Sequence, residues 1–218
     1  MSARKRVGIL ISGRGSNMAS LIEASKAPDY PAEIALVVSN RPGAAGLAKA
    51  EAAGIATATI DHTAYSSRED FEQDLDAALQ NAGIELICNA GFMRLLTGFF
   101  VKRWHNRQLN IHPSLLPAFK GLDTHQRVLD QGATIAGCTV HFVRLETDAG
   151  PIVAQAAVPV RSDDTAETLA ARVLAAEHKL YPLALRLIAS GEAQVEGDRV
   201  IWKNGDTDNR SLFWPPLN

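Results

Sequence analysis

The chain has 218 residues, 46% hydrophobic and 21% charged, which suits a folded α/β chain with a core large enough to need no staples. A formal net charge of −2 excludes a global field for a nucleic-acid backbone or an anionic membrane. The two cysteines, Cys88 and Cys138, lie in apolar runs without zinc spacing, so they read as reduced buried thiols of a cytoplasmic protein.

No signal peptide or membrane span is visible, and Arg4-Lys5-Arg6 reads as a solvated edge. Val7 to Ile11 is a short apolar run closed by Ser12-Gly13, the pattern of a buried strand. Met18 to Lys26 reads as a helix, Ile34 to Val38 as a strand, Ala44 to Ala53 as a helix stopped by Gly54, and Ala56 to Ile60 as a strand. Ser67 to Asn81 is an amphipathic helix opened by Ser-x-x-Asp capping and stopped by Gly83; Ile84 to Cys88 follows as a strand. This alternation predicts a parallel sheet covered on both faces.

After Asn89 the pattern changes. Gly91 to Leu96 reads as a turn or short helix, Gly98 to Trp104 as a helical piece, and Gln108 to Ile111 as the fifth strand. A helix is expected around Thr124 to Asp130, then two long strands, Thr134 to Val143 and Ile152 to Val160, as an antiparallel pair. Asp164 to Ser190 reads as one long helix, with Pro182 implying a kink or break. Val195 to Val200 reads as a hairpin. The fold class is therefore α/β: one open, mostly parallel twisted sheet, an antiparallel C-terminal part and a long C-terminal helix. A single domain over 1–218 is expected, with a phosphate-binding half to about 100, a catalytic half over about 101–191, and a hairpin and tail over 192–218.

Two segments carry chemistry. Asn110 and His112 are two apart at a strand exit, so they share a face, and Pro113 ends the strand. An amide donor and a titratable ring on a rigid base suit an acyl-type transition state; equally, the pair fits ordinary strand-end residues. Ser12-Gly13-Arg14-Gly15-Ser16-Asn17 is a glycine-rich turn running into a helix, a cradle for a monophosphate or simply a tight turn. It is a poor dinucleotide fingerprint, because Met18 stands at the third glycine position and Asn40, not an acid, ends the second strand. Asp148, before Ala149-Gly150, reads as a turn residue, or as a carboxylate that meets His112 if its loop folds over the fifth strand. Ser114 lacks the strand–turn–helix elbow of a nucleophile.

Asn110-Ile-His112-Pro-Ser-Leu-Leu-Pro117 with Asp148 resembles the signature of the folate-dependent formyltransferases. Ala90 to Arg94 and Ala176 to Pro182 extend the resemblance, which runs from about Val7 to about Gly191, toward members that act on a phosphoribosyl glycinamide. The resemblance implies a Rossmann-like fold. It implies formyl transfer from 10-formyltetrahydrofolate, as co-substrate, to the amino group of glycinamide ribonucleotide, in de novo purine biosynthesis.

Asn110, His112 and Asp148 match the family's catalytic trio. Gly15, Ser16, Asn17 and Glu177 would bind the ribonucleotide. Arg68, Met93, Arg94, Leu95, Leu96, Asn110, Arg144, Leu145, Glu146, Thr147 and Asp148 would hold the folate. No metal, nucleic acid or membrane is implied, and the chain would be a monomer or homodimer. Leu95 and Leu96 also fit plain core, Arg68 and Glu177 plain helix surface. Ala149 stands where many relatives have a second glycine, which leaves the loop shape open.

A tRNA-directed formyltransferase would add an RNA-binding domain and a basic surface, and formyltetrahydrofolate hydrolase an N-terminal regulatory domain; neither is expected here. A non-catalytic nucleotide-binding module on the same fold is the reading from another class, against which the complete trio argues.

Overall fold

The computed structural model describes residues 3–203. A seven-stranded sheet is built from β1 (Lys5–Ile11), β2 (Ala32–Ser39), β3 (Ala56–Thr59), β4 (Leu86–Asn89), β5 (Gln108–His112), β6 (Ile135–Phe142) and β7 (Ile152–Pro159), in the order β3-β2-β1-β4-β5-β6-β7. The first five strands pair in parallel; β6 is antiparallel to both β5 and β7. A separate two-stranded hairpin, β8 (Ala193–Glu196) with β9 (Arg199–Trp202), follows as expected. The tail beyond it lies outside the described residues. None of the helices among the described residues is long and apolar enough to cross a membrane.

Strand alternation sorts the sheet into two cores. Val7, Ile9 and Ile11 of β1 join one core with α1 (Ser16–Ser25) and the long helix α6 (Ala166–Ser190); α2 (Ala45–Ala52) and α5 (Thr124–Asp130) pack on the same side. Leu10 turns to the other core, with Leu75 and Leu79 of α3 (Arg68–Asn81) and Phe100 of α4 (Gly98–Arg103). An extra residue, Ala35, shifts the β1–β2 register between Val7 and Gly8, so β2 sends Ile34 and Val37 to the first core and Leu36 and Val38 to the second.

The second core takes no residue from β5, β6 or β7. Cover on both faces, expected for the alternating strand–helix part, holds for β1, β2 and β4 and stops before β5. On β5, Leu109 and Ile111 enter the first core, which leaves Asn110 and His112 on the face the second core does not reach.

Local expectations hold where the signal is chemical. The Ser67 hydroxyl accepts from Asp70 N at 3.1 Å and opens α3. Both cysteine thiols are buried and free, and burial pushes each up to about 12.

Three expectations need correction. The helix predicted from Asp164 begins at Ala166: Thr165 caps it, and Asp164 instead bonds the Arg172 guanidinium. Helix α6 runs through Pro182 without a break. Gly91 to Leu96 forms no helix. The solvated edge expected at Arg4-Lys5-Arg6 holds: Lys5 and Arg6 are exposed and make surface pairs with Glu85 and Glu33, both at 2.7 Å, while Arg4 donates to the Ser25 and Ala32 carbonyls.

Candidate functional site

In an open α/β sheet, ligands bind where the chain turns to opposite sides of adjacent parallel strands. Here that point lies between β1 and β4, and the loops leaving both strands line a pocket of about 300 Å³. Its walls are Ser12 to Asn17, Ala90, Gly91, Met93 and Arg41, with no carboxylate among them. Gly15 is the N-cap of α1 at φ 65, and a Cβ there would stand 3.1 Å from Gly46 Cα, so both conformation and space call for glycine. No side chain caps this helix, which leaves its first backbone N–H groups for an anion.

Asn17 is shared with a larger cavity of about 1090 Å³. That cavity runs over the uncovered face of β5 and is lined by Arg68, Met93 to Leu96, Asn110, His112, Arg144, Leu145, Thr147, Asp148 and Glu177. Asn17 Nδ2 donates to Glu177 Oε2 at 2.7 Å, so Glu177 is a buried group and no exposed helix acid. Burial raises its carboxyl above the ordinary range, and the Asn17 bond offsets part of this. Arg68 opens α3 at the cavity wall, and Leu95 is exposed there, not core; Leu96 lines the cavity while packing on the second core.

The open question of whether the loop after β6 reaches His112 has a direct answer. Asp148 Oδ2 lies 3.3 Å from His112 Nδ1 and accepts from Gly121 N at 2.9 Å. Both side chains are nearly buried. His112 Nε2 stands 3.0 Å from the Phe119 carbonyl. A carbonyl only accepts, so His112 Nε2 carries a proton toward Phe119, while Nδ1 lies within ion-pair distance of Asp148.

The loop shape also resolves: the positive φ, 52, falls on Asp148 itself. Gly150 is the position without alternatives, since a Cβ there would sit 1.8 Å from the Phe142 carbonyl.

One predicted residue is not brought in. Glu146 is absent from the cavity wall and pairs outward with Lys120 at 2.8 Å. Ser114, set aside as a nucleophile, is buried and donates to the Ala118 carbonyl at 2.7 Å.

Other residues were missed from sequence. His141 of β6 sits opposite Asn110, with Asn110 Nδ2 at 3.2 Å from its Nε2 and Asp148 Oδ1 at 3.7 Å. His141 Nδ1 faces the Phe142 carbonyl at 3.0 Å and carries the proton, so Nε2 accepts from Asn110. Burial lowers this ring's affinity for a second proton. Its one visible signal is the alternation Thr139-Val140-His141. Asn89 and His125 also line the larger cavity, and Arg14 and Arg41 the smaller. The arginines are visible in sequence only as loop charges.

The sequence matches the formyl transferase family over residues 5–185. It is 54% identical over 199 residues to the trifunctional purine biosynthetic protein adenosine-3 of Gallus gallus, covering 91% of this chain and 20% of that protein. The chain thus spans about a fifth of that relative's length. With the phosphoribosylglycinamide formyltransferase of Escherichia coli it shares 40% identity over 197 residues, 90% of this chain and 92% of that one. The crystal structure of a phosphoribosylglycinamide formyltransferase from Brucella melitensis superposes with a TM-score of 0.83 at 59% identity, covering 86% of this chain and 97% of the other. A matched family domain, near-complete coverage of a single-domain relative and a shared fold place this chain in the formyl transferase family, among the phosphoribosylglycinamide formyltransferases.

Proposed function

We propose that this chain transfers the formyl group of 10-formyltetrahydrofolate to the amino group of glycinamide ribonucleotide, giving formylglycinamide ribonucleotide and tetrahydrofolate in de novo purine biosynthesis. The observation that carries the reading is the contact of His112 with Asp148 at 3.3 Å, beside Asn110, in a cavity adjoining a carboxylate-free anion pocket.

The amine is already a nucleophile, so its nitrogen attacks the formyl carbon directly and the carbonyl electrons move onto oxygen. Asn110 Nδ2 donates to that oxyanion through the N–H it does not give His141, such a donor contributing roughly 3–4 kcal/mol, and His112 joins it when its Nε2–H leaves the Phe119 carbonyl for the new oxygen. Asp148 stands against His112 Nδ1 and holds the Gly121 backbone N–H. Collapse breaks the carbon–nitrogen bond to the folate; the leaving nitrogen gains a proton as the attacking amine loses one, by way of His112 or a water held by Asp148. His141 keeps the Asn110 amide turned so that its second N–H faces the cavity.

The smaller pocket takes the phosphate on the backbone of Gly15, Ser16 and Asn17, and Glu177 with Asn17 receives the glycinamide end of the ribonucleotide. Arg68 and Arg94 face the folate's carboxylates, while Met93, Leu95, Leu96, Leu145 and Thr147 enclose the pterin.

A spectrophotometric assay with 10-formyl-5,8-dideazafolate and glycinamide ribonucleotide tests this. Deformylation that requires the ribonucleotide is the expected result. Equal deformylation without it would make the chain a hydrolase, and none with it would refute the reading.

A further inference from the structure

The residues given the folate side sit on a segment, 91–97, that has no regular structure of its own. Met93 and Leu95 are 60% and 63% exposed, so packing does not hold its middle. Its two ends are held instead by buried side chains from other elements. At the start, Ser12 N donates to the Gly91 carbonyl at 3.1 Å, and Met93 N donates to Ser12 Oγ at 2.8 Å. At the end, Thr97 N donates to Glu72 Oε1 at 2.7 Å and the Thr97 hydroxyl donates to Glu72 Oε2.

Glu72 is 1% exposed on α3, and no cation is paired with it among the described residues. A carboxylate is seldom placed in a protein interior without a cation, since its desolvation is costly. Here both oxygens are spent on one residue, the N-cap of α4, where the cavity segment ends. Glu72 also lies one helical turn after Arg68, so a single face of α3 carries both a cavity-wall residue and the clamp on the end of segment 91–97.

We propose that Glu72 is a positioning residue for the folate side of the site, fixing segment 91–97 through Thr97 so that Met93 to Leu96 and Arg68 keep one spacing. Glu72 touches no substrate; it acts through the backbone it holds. The assignment of the larger cavity to the folate rests on the function proposed above.

The test compares Glu72→Leu, which removes both acceptors, with Glu72→Gln, which keeps one oxygen for Thr97 N and offers an N–H to the Thr97 hydroxyl. Calorimetry measures the Kd of 10-formyl-5,8-dideazafolate and, separately, of glycinamide ribonucleotide. Glu72→Leu weakens the folate analogue about tenfold, the worth of a hydrogen bond to a charged group, with ribonucleotide affinity within about twofold. Glu72→Gln restores most of the loss. Thr97→Val, which keeps the backbone N–H and removes the hydroxyl, gives a smaller loss of the same kind and carries the test if Glu72→Leu does not fold.

Unchanged folate-analogue affinity in Glu72→Leu, or in Thr97→Val if only that folds, overturns the role of Glu72. An equal loss of both ligands overturns it as well, since that is what a merely structural residue would give. If the unaltered protein fails to bind the analogue at all, the functional reading itself falls, and this role with it.

Discussion

The two pockets meet at Asn17, Gly91 and Met93, yet they are built on opposite principles. The smaller is made mostly of backbone and short side chains at the ends of paired parallel strands, where a glycine at φ 65 brings N–H groups to one point. The larger is made of side chains carried by β5, β6 and long connections, with His112, Asp148 and Asn110 as its proposed chemical groups. A backbone cradle binds an anion with little dependence on any one side chain. A cavity that must move protons depends on a few.

The sharpest way to break this contrast is His112→Ala. Transfer should fall by at least about 10³ in kcat while ribonucleotide affinity stays within a few fold; near-normal turnover would end the mechanism. Asp148→Asn comes next. It keeps the shape and one acceptor oxygen for His112 Nδ1 and Gly121 N but removes the negative charge beside the ring, and kcat should drop about 10²-fold or more. A change confined to KM would move Asp148 from the chemistry to binding.

Glu177→Gln separates affinity from stability. Burial raises the Glu177 carboxyl, so its contribution to stability is fully present below the unfolded-state value of about 4.3 and is lost as pH rises through the raised folded value. The Gln variant should match the parent in melting temperature near about pH 4 and exceed it near about pH 8, while its KM for the ribonucleotide rises about tenfold. A variant less stable than its parent at the higher pH would show that Glu177 gains more from its partners than burial costs it.

Arg41→Gln has the smallest effect. Its KM for the ribonucleotide should rise a few fold, about three to five, with kcat unchanged and the difference shrinking at high salt. An effect as large as that of Glu177→Gln would mean that the smaller pocket, too, depends on a single side chain.

What could be read from the sequence follows the same division. The spacing of Asn110 and His112, the glycine turn at Ser12 to Asn17 and the Ser67 cap are local facts of two to six residues, and local geometry delivers them. His141 was out of reach, because its place beside Asn110 depends on the antiparallel register of β5 with β6, set by pairing between residues 31 apart in sequence. Arg4 to Arg6 and Glu146 find partners that no window along the chain reveals. Asp148 fell in between. Its residue type was legible, but whether it reached His112 depended on how the β6–β7 connection folds back over β5.

The second core stops at β4, and this has a consequence for how the site tolerates change. Asn110, His112 and His141 stand on a sheet face outside that core, where buried polar contacts and not apolar packing hold them. Substitutions on that face should register as altered reactivity or altered acceptor preference before they register as lost solubility. That makes the cavity face of β5 and β6 a workbench for redesign: a library confined to its cavity-lining positions would sample new chemistries on a scaffold that still assembles.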